Sequence, residues 1–351
     1  MDTLFKRFPP RGGLLVPLSS PRGAAAALDA YAGCRPAAAL AHAAAAAAVR
    51  AAGPRVLPGP AEAWRPPLAN GDWQALLQDL RRQVHRFDTL AVLERRQPGR
   101  AGLGLLLLDG GRPRAFVKLR PRPAAGLARE ADALRRAAAA APRAFTAPAL
   151  LDWGTSGAWG WLAVTALAGP HHVPRAPRLH EVTAEVRRAL AGLPRPAGGT
   201  PHWTPMHGDL TPWNLRQAAR GGLLLYDWER AGWGPPGADA VLYRVAEAAL
   251  LGGGHVPGAR WLCARWPEAA AFWAARLRAR HAADAGEERR LRAQLEILDA
   301  GAGAAAPDET GLLGGACAAA LDPAPGEDAV PALSDEALAE LLAPPVAGAA
   351  G

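Results

Sequence analysis

A chain of 351 residues can bury cores for two domains or lobes, and 50% hydrophobic with 21% charged residues is a soluble globular composition enriched in Ala, Gly and Pro. The formal net charge is +8, but the arginines are scattered without the basic stripe or interleaved aromatics that track a nucleic-acid backbone, so nucleic acid is not expected as a partner. Cys34, Cys263 and Cys317 lie far apart without metal-ligand spacing and read as reduced thiols of a cytoplasmic protein. A leader is broken at Pro9–Gly13, and the Ala43–Ala48 run is too short and too weakly apolar to span a bilayer.

Residues 1–86 form an Ala/Pro-rich extension, partly helical, of unknown function and unknown protein partner. Helices are expected over Arg22–Ala32, Pro36–Ala52 and Asp72–Val84, the last with Trp73, Leu76, Leu77 and Leu80 on one face. The stretch reads either as a cap on the rest of the chain or as a small separate module. Trp64 and Trp73 imply that part of it packs.

From Phe87 the period changes. Thr89–Glu94, Leu103–Leu108 and Arg114–Leu119 read as strands, with Asp109–Pro113 as a turn. Between the first two, Gln97–Gly104 holds Gly99, Gly102 and Gly104, where backbone amides could approach phosphates; an ordinary hairpin fits the same residues. Lys118 sits in an apolar strand and is one of only two lysines among forty Lys and Arg residues, so it is a candidate for a role Arg cannot fill; an edge-strand lysine facing solvent is the alternative. A helix about Leu127–Leu134 carries Glu130, either a partner for Lys118 or a solvated glutamate. Ala147–Gly154 and Gly160–Leu167 read as two further strands, followed by a hinge at Ala168-Gly169-Pro170.

A helix over Arg178–Leu193 ends at Pro194 and Pro196. Then come His207-Gly208-Asp209-Leu210-Thr211-Pro212-Trp213-Asn214 and, after a hairpin through Arg220–Gly222, Asp227-Trp228-Glu229. The hairpin would bring Asn214 and Asp227 to the same end of its ribbon. Helices are expected from about Ala240 to Leu251, Pro267 to Ala283 and Gly286 to Leu298. Residues 301–351 read as a mostly disordered Ala/Gly/Pro-rich tail with a short helix near Ser334–Leu342.

The H-G-D-L-x-P-x-N and D-W-E patterns resemble the aminoglycoside phosphotransferase and choline kinase group, without mismatch at the fixed positions. Ala115-Phe116-Val117-Lys118 is similar to the kinase V-A-I-K strand. The resemblance implies an α+β, bilobal protein-kinase-like fold: a small antiparallel β N-lobe (87–168, nucleotide binding) and a mainly helical C-lobe (169–300, catalytic loop, metal and substrate), after the N-terminal helical extension. It implies ATP or GTP and Mg²⁺ as cofactors, and transfer of the γ-phosphoryl group to a hydroxyl of a small molecule: a sugar, amino alcohol, aminoglycoside or natural product.

By that resemblance Asp209 is the catalytic base, and Asn214 and Asp227 ligate Mg²⁺. Lys118, steadied by Glu130, holds the α- and β-phosphates under the Gly99–Gly104 loop, with adenine against the backbone of Thr165–Leu167. His207 orients the loop, Asp239 is an N-cap and brace, and Glu229 contacts substrate or stands behind the metal ligands. Trp213 and Trp228 are expected as core or wall residues. A net basic chain with no acidic C-lobe cluster beyond Glu287-Glu288 tilts the acceptor away from cationic aminoglycosides. The alternatives are a non-catalytic nucleotide-binding scaffold and a protein kinase; His-Gly-Asp in place of His-Arg-Asp speaks against the second.

Overall fold

The computed structural model describes residues 4–302 apart from 11, 32–33, 85, 96–101, 168, 176, 198–199, 220, 253–254, 281 and 283–284. Gly99, Cys317, the tail and its expected helix at Ser334–Leu342 lie outside the described residues.

The first half of the chain builds an antiparallel sheet. Its strands are β1 (Leu4–Phe8), β2 (Leu14–Pro17), β3 (Ala61–Ala63), β4 (Thr89–Arg95), β5 (Gly102–Asp109), β6 (Arg112–Pro121), β7 (Leu150–Ser156) and β8 (Trp159–Thr165), in the order β3-β1-β2-β4-β5-β6-β8-β7. Residues Gly102–Leu108 of β5 are buried without a break. A strand loses its alternation when both faces are covered, and two sets of helices do that here. Leu76 and Leu80 of α3 (Asn70–Val84) pack on Leu105, Leu107, Val117 and Leu119. On the opposite face α1 (Pro21–Ala30), with α2 (Pro36–Ala52) behind it, sets Ala24, Ala25 and Leu28 against Leu14 and Val16, and Ala27 against Ala91, Leu106 and Leu108. Burying a leucine contributes about 1.5–3 kcal/mol, so the two layers clamp the sheet from both sides.

Residues 1–86 are therefore more than helical. The three helices form near their expected spans, but β1, β2 and β3 were not anticipated, and β2 pairs with β4 through Leu14–Leu93 and Leu15–Val92. The line drawn at residue 86 crosses a continuous sheet. Glycine and proline hid these short strands: Lys6 and Arg7 sit between Phe5 and Phe8, and in the β1–β2 hairpin, where Phe8 pairs with Leu14, the Gly12 amide donates to the Pro9 carbonyl.

Between β6 and β7 runs α4 (Ala125–Ala140), whose Leu127, Ala131 and Leu134 face a core shared with α5 (Leu179–Ala189), Leu210, Leu215, Leu225 and Trp228. The remaining strands flank the motif loop. β10 (Thr204–Met206) pairs with β13 (Gly232–Gly234), and β11 (Leu215–Ala218) pairs with β9 (His171–His172) and β12 (Leu223–Leu225). A helical lobe follows: α6 (Ala238–Leu251), α7 (His255–Arg265), α8 (Pro267–Arg278) and α9 (Ala285–Ala302) around Val241, Val245, Trp273 and Leu298. α7 had no sequence forecast. The α+β arrangement of a sheet lobe followed by a helical lobe is the one the resemblance implied.

Candidate active site

β6 and α4 deliver the buried ion pair. Lys118 is 6% exposed and lies on the sheet face beside Gly104 and Leu162. Its Nζ donates to both carboxylate oxygens of Glu130 at 2.7 Å and to Asp227 Oδ1 at 2.6 Å. Burial by itself would lower the Lys118 pKa; the charges of Asp227, Glu130 and Glu229 outweigh it and hold the ammonium above its ordinary value. Asp227 is the point of convergence. It follows β12 with φ 61° and ψ 62°, a left-handed conformation that non-glycine residues seldom hold unless their surroundings impose it. Glu130 Oε1 also accepts the Trp228 amide at 3.3 Å, tying α4 to the turn after Asp227.

The loop from His207 to Asn214 is pinned from below. Asp239 accepts the amides of His207 at 2.7 Å and Gly208 at 3.0 Å. The expected N-cap role is corrected: Gly237 occupies the cap, and Asp239 sits in the first turn of α6 with its carboxylate turned to the loop. Gly208 has φ +76°, and a Cβ there would fall 2.2 Å from the Arg230 carbonyl oxygen, so both conformation and space require glycine. The His207 ring is buried, stacks edge-on against Trp228 at 4.8 Å, meets the Tyr226 carbonyl through Nε2 at 2.9 Å and accepts the Asp209 amide on Nδ1 at 3.3 Å. An accepting Nδ1 requires the neutral tautomer protonated on Nε2, and burial lowers the His207 pKa, which favours the neutral ring.

Asn214 and Asp227 come together as the ends of the β11–β12 ribbon, where the Tyr226 amide donates to the Asn214 carbonyl at 2.9 Å. The Asn214 amide nitrogen donates to the Asp209 backbone oxygen at 2.8 Å, an orientation that keeps Oδ1 for a cation. Carboxylate oxygens of Glu130, Asp227 and Glu229 lie within 4.8 Å of one another. This oxygen-only set suits a hard divalent cation such as Mg²⁺. Glu229 also meets Arg120 at 3.5 Å.

Asp209, Asn214, Asp227 and Glu229 share a cavity of about 360 Å³. Its far wall comes from the helical lobe, with Trp273, Arg280, Glu287 and Gln294. Burial raises the Asp209 pKa above its ordinary value; the Arg230 charge opposes this and the Asp227 charge adds to it. The acidic pair noted in the sequence divides here: Glu287 is buried and paired with Arg280 at 2.7 Å, whereas Glu288 is exposed with Arg292.

Two glycines are corrected. Gly102 and Gly104 lie inside β5, not in a phosphate-covering loop. Their missing side chains make room for neighbours: a Cβ would fall 2.7 Å from Arg120 Nη1 at Gly102 and 2.6 Å from the Phe116 ring at Gly104. The amides of Thr165 and Ala166 donate to Ala149 and Arg114 carbonyls, so these two are engaged within the sheet. Of the two tryptophans, Trp228 is fully buried but Trp213 is 41% exposed at the cavity edge. Sequence reasoning missed Arg280 and Gln294, which reach the cavity from α8's end and α9; no local motif marks them.

Residues 171–289 match the sequence profile described as the phosphotransferase enzyme family. None of the curated proteins matches. Solved structures with similarity include aminoglycoside phosphotransferase APH(3'')-Id from Streptomyces rimosus ATCC10970, at 18% identity over 65% of this chain and 98% of that one with a TM-score of 0.35. A thermostable mutant of aminoglycoside phosphotransferase APH(4)-Ia, solved with ADP and hygromycin B, gives 15% identity over 65% of this chain and 99% of that one, TM-score 0.44. A putative fructosamine-3-kinase from Haemophilus somnus 129PT gives 13% identity over 65% and 96%, TM-score 0.36. The stretch that carries His207, Asp209, Asn214 and Asp227 thus matches the phosphotransferase enzyme family, in line with the resemblance read from its motifs.

Proposed function

We propose that the protein is a small-molecule kinase that transfers the γ-phosphoryl group of ATP or GTP, as the Mg²⁺ complex, to a hydroxyl group. The single observation that carries this reading is that Asp209, Asn214 and Asp227 open onto one cavity while Lys118 bridges Glu130 and Asp227 beside it. Lys118 would hold the α- and β-phosphates. Asn214 and Asp227 would ligate the metal, with Glu229 beside them, and bound Mg²⁺ would supply charge neutralisation on the transferring phosphate. Asp209 would accept the hydrogen bond and then the proton of the acceptor hydroxyl. His207 and Asp239 hold the loop in place and take no part in proton transfer.

The acceptor class is a sugar, amino alcohol, aminoglycoside or natural product. Glu287, neutralised by Arg280, offers no uncompensated negative wall for a polycation, which supports a neutral or weakly charged acceptor. The proposed location is the cytoplasm, from the wide spacing of the cysteines. Among the described residues no helix is long and apolar enough to cross a membrane. The test is an ATP-consumption screen over these compound classes. Asp209→Asn is expected to lower turnover of any positive compound by a factor of about 10² or more while leaving nucleotide binding within twofold. Undiminished turnover in that variant would sink the reading.

A further inference from the structure

From Lys118 the strand β6 runs in two directions. Toward Arg120 it passes Glu229, which lines the cavity that holds Asp209, the acceptor's end. A donor whose phosphates meet Lys118 must therefore lay its nucleoside the other way, toward Phe116, which is two residues and so about 6.6 Å along the strand. Phe116 stands on the same face as Lys118, flanked by Leu106 and Val164, and Ala166 closes the end.

That surface already has an occupant. α1 starts at a Ser20 cap and runs across this face with Ala27 packed on Leu106 and Leu108. Tyr31, at its C-terminus, meets the Phe116 ring edge-on at 6.2 Å and packs in the same cluster as Ala166. The last turn of α1 also lies against the hinge, since a Cβ on Gly169 would fall 2.7 Å from the Asp29 carbonyl oxygen. The Cys34 sulfur is 2.7 Å from Arg216 Nη1 and 3.8 Å from the Pro212 carbonyl, which puts Cys34 beside the catalytic loop. The Tyr31 hydroxyl is buried there and has no hydrogen-bond partner among the described residues.

We propose that α1 and Tyr31 form an intrachain plug over the nucleoside position, so that the folded chain accepts the phosphates of a magnesium-bound donor but admits its base only when this segment is displaced. The inference rests on the phosphotransferase reading of the site. It makes the N-terminal extension a gate on donor binding, and it explains why β1–β3 and α1 are built into the lobe. A closed gate multiplies the donor's apparent affinity by the fraction of open molecules, weakening it, and leaves untouched a ligand that stops at the phosphates.

The test titrates the full chain with Mg²⁺-ATP and with Mg²⁺-tripolyphosphate, which has the phosphates and no base. In the wild type, ATP is expected to bind no more than about threefold tighter than tripolyphosphate. Tyr31→Ala should tighten ATP by about tenfold or more and leave tripolyphosphate unchanged, whereas Tyr31→Phe, which keeps the ring, should behave as wild type. Hydrogen exchange of the wild type supplies a readout that needs no variant: ATP, and not tripolyphosphate, should accelerate exchange in residues 21–30. ATP binding well beyond threefold tighter in the wild type, with exchange in 21–30 slowed or unchanged, would overturn the plug while leaving the phosphotransferase reading intact. Failure of both ligands to bind wild type and variants would overturn that reading and the plug with it.

Discussion

The two ends of the cleft solve opposite problems with the same backbone. At the end proposed for the acceptor, Asp209, Asn214, Asp227 and Glu229 surround open space, and the loop that carries the first two is held from beneath by Asp239. At the other end Phe116, Leu106, Tyr31 and Ala27 pack side chain to side chain around an apolar interior. A polar cavity stays open because its groups are satisfied from behind and cannot collapse onto one another without desolvation. An apolar surface invites filling, and the chain's own extension fills it. Between the two stands Lys118, held by charges from both lobes.

The sharpest way to break this division is to remove that cation. Lys118→Met leaves the buried Glu130 carboxylate without its cation and next to the half-buried Asp227, and losing one partner of a buried ion pair costs about 3–5 kcal/mol. Added Mg²⁺ should restore part of the loss, because the three clustered carboxylates then have a cation again. Thermal melts of variant and wild type with and without Mg²⁺ check this. A variant melt indifferent to Mg²⁺ would show that the cluster does not hold a divalent ion.

Legibility in the sequence divides along the same line. The polar end could be read because its chemistry lies in short contiguous patterns: His207 through Asn214, Asp227 at a strand end, and Glu130 on the helix directly after the Lys118 strand. The apolar end could not. Tyr31 carries no motif, and its meeting with Phe116 is a contact between distant parts of the chain that no local period reports. Gly102 and Gly104 misled for a related reason: a glycine that admits a phosphate and a glycine that admits a phenylalanine ring look alike until the neighbouring strand is in place. Likewise β5 reads as one apolar run, and only the packing of α1 and α3 on its two faces shows why it does not alternate.

A smaller effect probes how the open end is supported. His207 is neutral in the fold because burial lowers its pKa, whereas the unfolded chain's histidine titrates near its ordinary value of about 6.5. Below that value the unfolded state binds the proton that the folded state resists, so the stability His207 confers is complete above about pH 6.5 and falls as pH drops toward the folded pKa. The stability difference between wild type and His207→Gln, from urea titrations at several pH values, should shrink on acidification by no more than about 1.4 kcal/mol per pH unit. A difference independent of pH would mean that the folded ring titrates as it does in the unfolded chain, and a difference that grew on acidification would mean that the ring is protonated in the fold.

The smallest effect on stability is expected at the cavity rim. Trp228 and Trp213 flank the same motif, yet the first is sealed between Phe145 and His207 while the second stands 41% exposed beside Asp209 and Asn214. Trp228→Ala should cost about 3–5 kcal/mol as a cavity in the core. Trp213→Ala should change stability by about 0.5 kcal/mol or less. Its consequence belongs to binding: an aromatic wall that touches the acceptor in the ground state and the transition state alike raises KM when removed and leaves kcat nearly constant. Steady-state kinetics of the variant at saturating Mg²⁺-ATP should show a severalfold higher KM for the acceptor and an unchanged KM for the donor, because the ring lies on the Asp209 side of Lys118. A shift in the donor's KM instead would place the nucleoside on the Trp213 side and remove the directional argument that puts it against Phe116.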